Sequence, residues 1–203
     1  MTPVVRTMSL GDVDGVVALQ PLCFPPPFDP SLLWQREHIE RHLAVFPAGQ
    51  FVATVEGRVV GSASNTIISE EAWRAHAPWE ETVGGFMIET FDPTGTTLYG
   101  LDISVDPAFR GRGIARALYQ ARFDLVREKG LTRYGTTCRL PGFHTSGVGP
   151  PEYYADEVVA GNRTDPTLTP LLKMNLTYLG VAMDFMDDPE SGNSAAILEW
   201  RPE

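Results

Sequence analysis

Residues 97–130, TLYGLDISVDPAFRGRGIARALYQARFDLVREKG, run from a strand through a glycine-rich turn into a helix. Thr97–Val105 alternates apolar residues with polar or small ones, which predicts a half-buried strand with Leu101, Ile103 and Val105 on one face. Asp106-Pro107 ends that strand, because proline has no amide hydrogen to continue a ladder. Further on, Ile114, Leu118, Ala121 and Leu125 recur at helical spacing. Lys129 and Gly130 close the helix with a last-turn cation and a glycine terminator. The junction Arg110-Gly111-Arg112-Gly113-Ile114-Ala115 is therefore a glycine loop at a helix start. Bare backbone amides can approach a ligand there, the positive end of the helix dipole favours a phosphate, and the arginines add charge-assisted contacts.

Two common phosphate loops are excluded. An ATP or GTP loop needs Lys and then Ser or Thr after its second glycine, and Gly113 is followed by Ile114-Ala115. A dinucleotide fingerprint needs a third small residue where Arg116 stands. The pattern Arg-x-x-Gly-x-Ala, preceded by Leu-x-Ile-x-Val-x-Pro, resembles the pyrophosphate loop of the GNAT superfamily of N-acetyltransferases. The stretch from Leu98 to Trp200 further resembles the acetyltransferase domain that some bacteria fuse to a nitrilase-type carbon-nitrogen hydrolase, through RLPGF, DPTLTPLL and DDPESGNSAAILEW.

The resemblance implies an α/β (α+β) fold: a central mixed, mostly antiparallel sheet of about seven strands flanked by helices, with a V-shaped splay at the acetyl-coenzyme A site. It implies one such domain over residues 1–203, with an irregular insertion at about 69–96. Acetyl-coenzyme A is the implied co-substrate, and no metal ion is implied. Backbone groups of Ile103, Ser104 and Val105 would bind the pantetheine arm, and Arg110, Gly111, Arg112, Gly113, Ile114 and Ala115 the pyrophosphate. Asp102, alternating away from Leu101 and Ile103, is the candidate general base; a carboxylate tied to backbone or to an arginine is the competing account. Glu89 and His144 are the other candidates, since a loop histidine titrates in a useful range. Many members protonate the departing thiolate with a tyrosine on the last helix, where this chain has Leu171 or Leu172. Tyr154 or Tyr153 would have to substitute, although such pairs are usually packing residues.

Composition narrows the partners. A hydrophobic content of 43% with four tryptophans argues for a packed core. A net charge of -10 argues against nucleic acid, whose phosphates need clustered Lys and Arg. Cys23 and Cys138 lie far apart in unlike contexts, as reduced thiols do, and Cys138 has no His or Asp motif beside it. No run approaches the ~20 apolar residues of a membrane span, and the N-terminus has no signal-peptide pattern. These readings predict a cytoplasmic protein without a membrane partner, and a homodimer is compatible with them.

Elsewhere the pattern predicts a first strand at Val4–Thr7, a helix from a capping-box start at Ser9–Asp12 to about Leu19, and a break across Gln20–Pro30. That break is either part of an acceptor cleft or a surface loop. A helix over Ser31–Phe46 and a hairpin of Gln50–Glu56 with Val59–Ile68 follow, then a short helix at Glu70–His76. The rest of the insertion reads as a cover for the cleft or simply for the sheet. Leu131–Arg139 reads as a strand, Glu152–Ala160 and Asp165–Asn175 as helices, and Tyr178–Met186 with Ser194–Arg201 as a closing pair. The acidic turn Asp187, Asp188, Glu190 between them reads as solvated. The functional expectation is acetyl transfer to a primary amine of a small molecule. The rivals are a protein or peptide amine as acceptor, and a non-catalytic acyl-coenzyme A-binding sensor or partner module of a separate hydrolase.

Overall fold

The computed structural model describes residues 2–203. Strand β1 (Val4–Thr7) leads to a 3-10 turn at Leu10–Asp12, where the Ser9 amide donates to Asp12 Oδ2 at 2.8 Å and Arg6 grips the same carboxylate at 2.7 and 2.8 Å. Helix α1 (Val13–Cys23) follows. It runs past the predicted break, because Pro21 sits on an exposed face and costs only one helical hydrogen bond, while the Phe24 amide still donates to the Gln20 carbonyl at 2.9 Å. Pro30–Leu32 forms only a 3-10 turn, so helix α2 (Arg36–Val45) starts later than the pattern predicts.

Strands β2 (Phe51–Val55) and β3 (Arg58–Ile68) form the expected hairpin, turning one residue earlier at Glu56-Gly57, both with positive φ. The insertion holds α3 (Glu70–Ala75), α4 (Trp79–Val83) and a 3-10 turn at Gly85–Met87. Next come β4 (Thr97–Val105), α5 (Ile114–Lys129) and β5 (Arg133–Arg139), then α6 (Pro151–Val159) and α7 (Leu168–Leu172). The last helix is far shorter than expected. Strands β6 (Thr177–Ala182) and β7 (Ala195–Trp200) close the chain.

The seven strands form one sheet in the order β1-β2-β3-β4-β5-β7-β6, antiparallel except for β4 against β5. That parallel step is made by α5, whose apolar stripe (Ile114, Leu118, Val126) packs with Ala53, Leu98 and Tyr134 on one sheet face, and α6 and α7 join the same cluster. On the opposite face Val13 and Val16 of α1 pack with Ile39 of α2 and Val52, while Trp73 of the insertion meets Tyr99 and Ile197. Burial of these side chains, at about 25 cal/mol per Å² of apolar area, holds both layers on the sheet. Among the described residues no helix is long and apolar enough to cross a membrane.

Candidate active site

The site begins with an irregularity in β4. Its ladder with β3 pairs Asp102 with Ser64 and Gly100 with Asn65, so Leu101 is an extra residue. A bulge turns two successive side chains toward one face. Leu101 and Asp102 accordingly both line a cleft on the α1 side, whereas Ile103 and Val105 pack against the α5 side. The simple alternation predicted for Leu101, Ile103 and Val105 is broken for this reason. On its other edge β4 pairs with β5 only as far as Gly100 with Thr136, while β5 continues along β7 to Arg139. Among the described residues Leu101–Val105 has no strand neighbour on that side, and the sheet opens into a V.

Asp102 lies half-buried at the floor of the cleft. Its Oδ2 accepts from the Ser104 hydroxyl at 3.1 Å and from Gln20 Nε2 at 3.5 Å. Gln20 also reaches the Ser104 hydroxyl at 3.3 Å and accepts from the Trp34 amide at 3.4 Å, tying α1, β4 and the α1–α2 connection together. Burial pushes the Asp102 carboxyl up to about 6, against the Ser104 hydroxyl, the Arg122 charge and Gln20, which hold it down. Such a group is mostly ionised at neutral pH and still basic enough to take a proton from a nearby ammonium. Cys23, on the same helix end as Gln20, is a free thiol raised by burial and by the Asp102 charge.

Behind β4 stands Arg122 of α5, fully buried. Its guanidinium donates to the main-chain carbonyls of Asp102 and, at 3.2 Å, of Ser64, and lies 4.9 Å and 5.3 Å from the rings of Tyr119 and Tyr134. Sequence reading missed Arg122 and Gln20. The one available signal was that Arg122 falls on the apolar stripe of α5.

The glycine loop has the form its sequence predicts. Gly111 and Gly113 have φ of +75° and +78°, and a Cβ added to either meets no atom within 4 Å. Gly113 caps α5 without any side chain over the first amides, and Arg110, Arg112 and Gly113 are exposed. Arg110 Nε donates to the Val105 carbonyl at 3.2 Å, fastening the loop to the end of β4. Open space beside the two glycines, helix-start amides with no side-chain cap and flanking cations fit a pyrophosphate.

The other predicted residues are not brought to Asp102. Tyr154 is buried, and its hydroxyl donates to Asp165 Oδ2 at 2.9 Å; burial and the Asp165 charge raise it well above the ordinary phenol range. Asp165 in turn accepts from the amides of Gly142, Thr167 and Leu168, so Tyr154 belongs to the anchoring of α7. His144 and Glu89 are exposed and line no part of the cleft, and the His144 amide donates to the Glu190 carbonyl at 3.1 Å. Leu171 and Leu172 pack in the main core.

The cleft, of about 590 Å³, is walled by Phe24, Phe28 and Trp34 from the α1–α2 connection, by Trp79 and Phe86 from the insertion, and by Phe185 from the β6–β7 loop. The Trp79 amide donates to the Phe185 carbonyl at 2.9 Å, joining two of these walls. The proline-rich connection and the insertion thus both reach the cleft, while Trp73 and Val83 of the same insertion sit in the core. The acidic turn is not simply solvated. Asp187 lines the cleft, and Asp188 and Glu190 bind Arg139 at 2.6–2.8 Å.

Comparison with known proteins gives a consistent result. A family model described as the Acetyltransferase (GNAT) family matches residues 13–145. The uncharacterized N-acetyltransferase YkwB of Bacillus subtilis (strain 168) is 31% identical over 202 residues, covering 97% of this chain and 88% of that protein. The probable hydrolase YhcX of the same organism is 31% identical over 199 residues; there the match covers 97% of this chain but only 38% of that protein. Among solved structures, the loading GNATL domain of CurA from Lyngbya majuscula superposes with a TM-score of 0.83 at 16% identity, covering 99% of this chain and 98% of that one. The GphF GNAT-like decarboxylase in complex with isobutyryl-CoA gives 0.77 at 24% identity over 98% of both chains. These structural likenesses speak for the fold alone.

Proposed function

This chain belongs to the acetyltransferase (GNAT) family of acyltransferases, and we propose that it moves an acetyl group from acetyl-coenzyme A to a primary amine of a small molecule, with Asp102 as the base. The observation that carries this reading is the shared floor of the two halves of the site. The unpaired edge of β4 and the glycine loop at Arg110–Ala115 are continuous through Ile103–Val105, and the cleft carboxylate stands on the same strand segment.

Acetyl transfer to an amine needs the thioester held beside the nitrogen, a proton removed from the ammonium, and donors for the developing oxyanion. Gly111, Gly113 and the first amides of α5 would take the pyrophosphate, and the main chain of Ile103–Val105 would align the pantetheine arm and face the carbonyl. Asp102, ionised near neutral pH, accepts the ammonium proton directly or through water. Gln20 and Ser104 orient its Oδ2, and Arg122 fixes its main chain from behind. No side chain is assigned to protonate the thiolate, because Tyr154 is committed to Asp165. A thiol is an adequate leaving group without a dedicated acid.

The test is thiol release from acetyl-coenzyme A across a panel of amines, with the product identified by mass. Amine-dependent release supports the reading. Tight acetyl-coenzyme A binding with no release for any small amine, but release with a peptide, would move the acceptor to the protein class.

A further inference from the structure

Acceptor class can be read from the walls of the cleft, taking the acetyl-transfer reading as given. Rings pack around the cavity: Trp34 to Phe86 edge to face at 5.5 Å and 90°, Trp79 to Phe86 edge to face at 5.5 Å and 60°, and Phe24 to Phe28 tilted at 5.0 Å and 34°. Leu101, displaced onto this face by the bulge, adds an aliphatic patch beside Asp102. Such a wall rewards an apolar, aromatic body.

Charge separates the possible acceptors further. Among the described residues, Arg139 is the one cation lining the cleft, and its guanidinium is bound to Asp188 at 2.6 and 2.7 Å and to Glu190 at 2.8 Å, with the Phe28 ring 4.8 Å from it. Two carboxylates outweigh its single charge, which leaves little attraction for a substrate carboxylate or phosphate. The lining carboxylates are Asp102 at the floor and Glu80, Asp184 and Asp187, and these last three are exposed at the rim. A negative rim draws a cation in.

We propose that the acceptor is a primary amine on an uncharged aromatic body, an arylalkylamine, with its ring among Phe28, Trp79 and Phe86 and its nitrogen at Asp102. Amino acids with a free carboxylate and phosphorylated amines are disfavoured by the acidic rim and by the neutralised Arg139. Phe28, half-buried on the α1–α2 connection, sets affinity for the ring without touching the reacting nitrogen.

The experiment has two readouts on the full chain. Phenylethylamine is titrated into protein saturated with coenzyme A while tryptophan emission is followed, since Trp34 and Trp79 line the cleft. In parallel, kcat/KM is measured with acetyl-coenzyme A for phenylethylamine, spermidine, lysine and glucosamine. The expected result is saturable quenching and a preference for phenylethylamine of at least about tenfold, the scale on which apolar pockets discriminate. Phe28→Ser should raise its KM and its quenching midpoint by about tenfold, from lost ring burial, with kcat little changed. No quenching, together with turnover of spermidine, lysine or glucosamine, overturns the acceptor class and leaves acetyl transfer standing. Quenching without any turnover keeps the aromatic site and overturns acetyl transfer. Neither quenching nor turnover overturns both.

Discussion

The guanidinium of Arg122 donates to the main-chain carbonyl of Asp102, so the helix that begins at the glycine loop also braces the strand segment carrying the cleft carboxylate. The contact is made where the β3–β4 register shifts, between Gly100 and Asp102. Arg122 is buried between Tyr119 and Tyr134 with no carboxylate on its guanidinium, and its charge is one of the forces holding Asp102 down. Arg122→Met should therefore move the acidic limb of the pH–rate profile upward and lower kcat. Arg122→Lys should restore part of the shift. An unmoved limb in Arg122→Met, in a protein that still melts cooperatively, would show that the charge is not felt at Asp102.

Asp102→Asn should lower kcat by roughly 10²–10⁴-fold, the usual contribution of a positioned base, with little change in coenzyme A affinity. It carries a stability signature as well. The fold raises this carboxyl to about 6 by burial, so the stability tied to its protonated form is present at low pH and lost as pH rises through about 6. The melting temperature of Asp102→Asn relative to wild type should then increase from pH 4 to pH 8. A difference that stays flat with pH would contradict the burial assigned here.

Gly113→Val should abolish most acetyl-coenzyme A affinity in calorimetry. Its φ of +78° is strained for a branched residue, and the added side chain would fill the open space over the first amides of α5. Unchanged affinity would remove the pyrophosphate from this loop.

His42 links the insertion to α2: its Nε2 lies 2.8 Å from the Phe86 carbonyl, and burial lowers it to about 4. A histidine kept neutral in the fold stabilises above its unfolded value near 6.5, and that contribution is lost as pH falls toward 4. His42→Gln keeps a donor without the titration, so its melting temperature should fall less steeply than wild type between pH 6.5 and pH 4. Equal slopes would assign the acid sensitivity to other groups.

The strand, loop and helix of residues 97–130 were legible because each signal is local: alternation, Asp106-Pro107, two glycines and a helical stripe. The bulge at Leu101 was not, since it exists only in the register against β3. Pro21 misplaced the end of α1 and with it hid Gln20 and Cys23, because one exposed proline costs less than the burial that extends the helix. Tyr154 was attractive as a lone hydroxyl, but its partner Asp165 lies in the connection before α7, and sequence spacing does not show such pairing. The ring wall was invisible for a similar reason: Phe28, Trp79 and Phe185 come from segments far apart in the chain.

Acetyl transfer to an amine is tested most directly by incubating the protein with acetyl-coenzyme A and phenylethylamine and quantifying both free thiol and N-acetylated amine by mass. The account predicts equal amounts of the two, both strongly reduced in Asp102→Asn. Thiol released without acetylated amine, or full yield of both from Asp102→Asn, would contradict it.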